Sequence, residues 1–178
     1  MALEGKELRP IHAQGIFNLT LYGEVTQVLI FDYEDRSLYY ARLMDEGDIE
    51  AEMESLMENM QGLLDEEEVY INNEITEPTV EDIDIIFRGQ LIHPSIIFFI
   101  RFSGKLEEGM NIYENRYEAT VAEYDYEVYW LMPSGVRILE VQMSGEYEAT
   151  ENTLLIWVKK GDQIEGYEKI VFEIPYKL

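Results

Sequence analysis

Hydrophobic and polar residues alternate along much of this chain, and the alternation first becomes regular at Ile16. From Ile16 to Tyr22, Phe17, Leu19 and Leu21 fall on one side of an extended segment. Gly23-Glu24 marks a turn, Val25 to Tyr33 resumes the strand, Asp32 to Arg36 reads as a polar turn, and Ser37 to Leu43 reads as a returning strand. Together these segments predict an antiparallel meander. Residues 1 to 15 show no such period and read as a lead-in.

The period changes at Asp48. Ile49, Met53, Leu56, Met57, Met60 and Leu64 trace one apolar face of an α-helix, with Glu50, Glu52, Glu54 and Glu58 on the solvent side. Asp48 suits the N-cap, where its carboxylate also meets the positive helix end. Acids from Asp65 to Glu68 oppose the negative end, so the helix is expected to stop near Leu64. An acidic helical excursion over residues 45–68 results.

Beyond it the period of two returns. Val69 to Ile75 predicts a strand closed by Glu77-Pro78, and Ile83 to Arg88 another. The run Ile96-Ile97-Phe98-Phe99-Ile100 has almost nothing polar in it and reads as a central strand covered on both faces. In Tyr124 to Trp130, alternation sets Tyr124, Tyr126, Val128 and Trp130 against Asp125, Glu127 and Tyr129. Val136 to Met143, Thr153 to Val158 and Ile170 to Ile174 follow, separated by turns at Ser144-Gly145 and Lys160-Gly161-Asp162. Strands this frequent, without helices between them, predict a mainly β fold. The expected architecture is one domain over 1–178, an antiparallel β-sandwich with one packed amphipathic helix. A β-rich α+β fold or an open barrel is the alternative.

Charge changes the picture more than length does. The 178 residues carry 37 acidic and 13 basic side chains, a formal charge of −24. That field repels nucleic acid and anionic membrane, and it attracts basic proteins and divalent cations. No Lys or Arg occurs between Arg42 and Arg88, and acids crowd that interval. Glu50, Glu54 and Glu58, four residues apart on one helix face, form the compact set expected to meet a basic protein partner. A second copy of the chain is a further candidate partner. The longest apolar run is too short to span a bilayer, and the N-terminus has no apolar signal core. With no cysteine, these features point to a cytoplasmic protein, an excised extracellular domain being the alternative.

Chemical signatures are sparse. The sequence contains no phosphate-binding glycine loop, no dinucleotide fingerprint and no zinc-protease or serine-hydrolase motif. His12 and His93 are the two histidines, too few for a zinc site of three histidines. His93, beside Pro94, reads as structural, and His12 falls in the unpatterned lead-in. Asp82 with Asp84, and Asp125 with Glu127, share strand faces and would suit a cation or a pKa-shifted pair. The acidic turns at Asp32–Asp35 and Asp45–Asp48 would support weak divalent-cation binding, and no other cofactor is expected. The stripe Tyr124, Tyr126 and Trp130 reads as core. Tyr129 and Trp157 become interface candidates if both are exposed. The expected function is a noncatalytic protein-binding or assembly module with an acidic surface. The alternatives are a carboxylate- or metal-dependent hydrolase and a β-barrel for a small apolar ligand.

Overall fold

The computed structural model describes residues 7–175. In chain order the elements are β1 (Leu8–Leu19), β2 (Glu24–Asp35), α1 (Tyr39–Glu46), α2 (Ile49–Leu64), β3 (Glu68–Ile71), β4 (Glu74–Thr76), β5 (Thr79–Phe87) and β6 (Pro94–Ser103). They continue with β7 (Gly109–Arg116), β8 (Thr120–Val121), β9 (Asp125–Leu131), β10 (Arg137–Gln142), β11 (Glu146–Ala149), β12 (Thr153–Val158), β13 (Gln163–Ile164) and β14 (Tyr167–Ile174). A seven-stranded sheet runs β11-β12-β9-β1-β2-β6-β5, and a five-stranded sheet runs β10-β14-β7-β3-β4. The protein is mainly β, a sandwich with helices packed against it.

Both helices and the smaller sheet cover the same face of the large sheet. Val25, Trp130, Leu154 and Ile156 from the large sheet meet Val69, Ile71, Tyr113, Ile170 and Phe172 from the small one. Toward the β5 edge, the apolar face of α2 takes over. Met60 and Leu64 are buried against Ile83, Ile85, Ile96, Phe98 and Ile100, and Ile49, Met53, Leu56 and Met57 pack around them. Strand β6 serves both cores, because Ile96, Phe98 and Ile100 lie under the helix and Phe102, on the same side, lies under the small sheet.

The structure corrects several expectations. Residues 1–6 of the segment read as a lead-in lie outside the described residues. The remainder supplies Leu8 to Gly15 of β1, a central strand that continues into the strand read from Ile16. Its inward positions are Ala13, Gly15, Phe17 and Leu19, so the period of two is present but carried partly by small residues. The pairing is not purely antiparallel, since β1 runs parallel to β9. Ser37 to Leu43 is not a returning strand. Most of it belongs to α1, entered through Leu38 at φ 53 and closed by Gly47 at φ 81, whose N–H donates to Leu43 O. Val69 to Ile75 is two strands, because Asn72 and Asn73 adopt left-handed backbone (φ 52 and 62) that turns the chain back on itself. Asp48 does occupy the α2 N-cap position, but its side chain makes no capping bond there. The helix ends at Leu64 as expected.

The start of α1 depends on one buried carboxylate. Asp35 is fully enclosed; Oδ2 accepts the Tyr40 N–H at 3.1 Å and Oδ1 accepts the Ser37 hydroxyl at 2.9 Å. Asp35→Ala would strand both donors. We expect it to destabilise the protein by about 1–3 kcal/mol in denaturant unfolding, while Ser37→Ala costs about 1 kcal/mol.

Candidate functional site: the uncovered face of the large sheet

The other face of the large sheet has nothing packed on it among the described residues. Cross-strand register places Leu155, Tyr129, Ile16, Val28 and Phe99 in one row over β12, β9, β1, β2 and β6, with Asp82 of β5 at its end. The next row is Trp157, Glu127, Gln14, Ile30, Ile97 and Asp84. None of these side chains belongs to either core. Five strands at about 4.8 Å spacing give an apolar band about 19 Å across. Phe99 and Trp157 are each 36% exposed, so large rings still meet water although neighbouring side chains shield their flanks. The reading of β6 as covered on both faces is therefore corrected: Ile97 and Phe99 point to the open side.

A third row is polar. Asp125, His12, Asp32 and Ser95 stand side by side on β9, β1, β2 and β6. The Ser95 hydroxyl donates to Asp32 Oδ1 at 2.5 Å; His12 Nδ1 lies 3.4 Å from Asp32 Oδ2, and His12 Nε2 lies 2.6 Å from Glu127 Oε2. Arg88 Nε approaches Asp32 Oδ1 at 4.0 Å. The set resembles a nucleophile relay in composition only. Ser95 is bonded to the carboxylate rather than to the imidazole and is 1% exposed, so a substrate has no route to its oxygen. Its physical effect is to brace four strands at one end of the apolar band.

Acids flank the band at its two edge strands, while the side opposite the polar row is formed by Leu131, Asn18, Thr26 and Arg101. Asp82 and Asp84 are exposed at the β5 edge, and Glu146 and Glu148 are exposed on β11. Asp82 and Asp84 thus share a face as read, and Asp82 Oδ1 accepts the Ile83 N–H. Asp125 and Glu127 also share this face, but each is engaged, Asp125 Oδ1 by the Lys160 N–H and Glu127 by His12. Arg101 is paired with Glu81 at 3.1 Å.

The acids first singled out lie elsewhere. Glu50, Glu54 and Glu58 are exposed on α2, which covers the opposite side of the large sheet, so they are not part of the apolar band. His93 sits in the β5–β6 turn two residues before Ser95, its N–H donating to Gln90 O at 3.0 Å. Trp130 is core as read, with Tyr126 and Val128 packed beside it, whereas Tyr124 lines an open groove of about 660 Å³ with Arg9, Asp125 and Lys160. Trp157 is exposed but Tyr129 is half-buried, so the condition that both be exposed is met by Trp157 alone. Reading the sequence missed His12, Gln14, Ile16 and Ser95. Once Ala13 and Gly15 are counted as inward positions, the signal for β1 is the alternation His12, Gln14, Ile16, Asn18.

No group of three or more His, Asp or Glu side chains arranged to hold a metal occurs among the described residues. Nor is any helix among them long and apolar enough to cross a membrane. The search for related proteins gave neither a matching family model nor a matching curated protein.

Proposed function

We propose that this chain is a noncatalytic docking module, and that the uncovered face of the large sheet receives an apolar segment of a basic protein partner. The observation behind this reading is the band Leu155, Tyr129, Ile16, Val28 and Phe99, contiguous over five strands and absent from both cores. Soluble domains seldom leave a contiguous apolar surface of this kind uncovered unless it meets something. Charge selects the occupant. The band is rimmed by Asp82, Asp84, Asp125, Glu146 and Glu148, and the whole chain carries −24. A second copy brings the same charge and is repelled, whereas a cationic segment with apolar side chains gains at the rim and on the band. Glu50, Glu54 and Glu58 act at longer range, raising the encounter rate without setting specificity.

The test uses two synthetic probes, a peptide alternating Lys with Val and Phe, and polylysine. Calorimetry should show the amphipathic peptide binding more tightly than polylysine. In a Phe99→Ala/Trp157→Ala variant that affinity should fall by up to several hundredfold, since each buried aromatic anchor is worth roughly 2 kcal/mol, or about thirtyfold. Polylysine binding should be unaffected by those changes and should vanish as salt rises. Equal affinity of the variant and the parent chain for the amphipathic peptide would overturn the proposal, as would a stable dimer buried on this face in sedimentation.

A further inference from the structure

Between the sheets lies a polar cluster that the docking face does not use. Glu168 of β14 stands directly across from Asn115 of β7, and Asn115 stands across from Val69 of β3. Glu67, two residues before Val69, accepts the Asn115 side-chain N–H at 2.9 Å. Tyr117 donates its hydroxyl to Glu168 Oε1 at 2.9 Å. Asn115 itself is 9% exposed, and its Oδ1 is wholly occluded and accepts no hydrogen bond.

An occluded carbonyl oxygen without a donor is costly. A neighbouring side chain can carry the donor: the Tyr113 hydroxyl already bonds the Asn115 side chain, and Glu168 stands directly across from it. Directly opposed residues on antiparallel strands hold their Cβ atoms about 5 Å apart, within reach for a glutamic acid and an amide. We infer that Glu168 is a built-in proton site, and that its neutral carboxyl donates to Asn115 Oδ1 and latches β14 to β7 and β3. A chain of hydrogen bonds would then run from Tyr117 through Glu168 and Asn115 to Glu67.

The surroundings favour the proton. Burial pushes the Glu168 carboxyl up from its ordinary 4.5, and the Glu67 carboxylate adds to the effect. Glu67 is itself raised by burial, with Asn115 opposing. The groups around them are Tyr113 and Tyr117 from β7 and its following residue, both raised by burial, and Tyr126 from β9, pushed up by burial to about 12. Asp162 adds negative charge near Tyr126. No cation among the described residues opposes the effect at either glutamate. Arg116 instead approaches Glu68 and Glu114. The sign follows from linkage. Below pH 4.5 the folded and unfolded chains both hold the proton. As pH rises past that value, the unfolded chain releases it first, so the folded state loses stability until its own higher titration is complete.

The experiment reads the full chain by NMR. The Glu168 side-chain carboxyl carbon should titrate at higher pH than those of Glu50, Glu54 and Glu58. Exchange of the Tyr117 amide, which donates to Gly166 O at 2.9 Å, should accelerate about tenfold per unit of pKa shift beyond its intrinsic pH dependence. Glu168→Gln carries a permanent donor in the same place, so its Tyr117 amide should stay protected at high pH. Glu58→Gln, which removes the same charge from the surface, should behave like the parent chain. Titration of Glu168 together with the surface glutamates would overturn the inference. Acceleration in Glu168→Gln equal to that of the parent, or a raised titration at Glu67 alone, would do the same.

Discussion

Trp130→Ala should lower the unfolding free energy by about 3–5 kcal/mol, the range for emptying a large aromatic site in a packed core. The indole is 2% exposed and stacks on Phe17 with ring centres 4.3 Å apart and planes 7° from parallel. On its other side Tyr113 of the small sheet approaches to 4.6 Å. The ring therefore joins the two sheets, and removing it takes contacts from both. Its Nε1 is buried without an acceptor. Trp130→Phe discards that unpaired donor together with part of the ring, so the two effects oppose each other and the loss should be less than half as large. Denaturant unfolding of the two variants side by side checks both statements. Equal losses would show that the ring's volume does not dominate this site.

Gly23→Ala should cost about 2–5 kcal/mol, although the turn between β1 and β2 lies at the periphery. Gly23 has φ +82, and a Cβ built there would stand 1.9 Å from the carbonyl oxygen of Gly104. The two residues are already joined, since Gly104 N–H donates to Gly23 O at 3.0 Å. A side chain would have to break that contact or displace the β6–β7 connection. Left-handed backbone costs an alanine about 1–2 kcal/mol, and a forced overlap adds about 1–3. Gly47, at the end of α1, separates these contributions. Its φ is +81, but a Cβ there meets nothing within 4 Å. Gly47→Ala should therefore show the backbone cost alone, about 1–2 kcal/mol. Similar midpoints for the two variants in thermal or denaturant melts would mean that the Gly104 connection yields easily.

How much of this was legible in the sequence depended on how each face is buried. The α2 period was readable because a helix lying on a sheet buries a single stripe, from Ile49 to Leu64. Parity along β9 was equally clear, and it placed Tyr129 opposite Trp130. In β6, by contrast, the uncovered side is itself apolar at Ile97 and Phe99, so the strand looked buried on both faces. Strand β1 was obscured for the reverse reason. Its inward positions include Ala13 and Gly15, and its outward ones include His12 and Gln14, which leaves little contrast in hydrophobicity. Strand propensity of the tyrosines concealed α1, whose apolar stripe of Tyr39, Tyr40 and Leu43 is short because the helix has only eight residues. The polar row needs strand order to be seen at all. His12 and Asp125 are adjacent through the parallel pairing of β1 with β9, and no local pattern announces that contact.

That pairing also sets a timetable for synthesis. Strands β1, β2, β6 and β5 lie within the first 103 residues and can assemble while later segments are still being made. One edge of β1 must nevertheless stay open until Asp125 to Leu131 leave the ribosome, because those residues are its partners. Until then the nascent chain presents a bare strand edge beside the apolar band of Ile16, Val28 and Phe99. Folding should be slow to complete, since the closing contact spans more than half of the chain. Acidic repulsion between neighbouring nascent chains would keep that unfinished edge from finding the wrong strand.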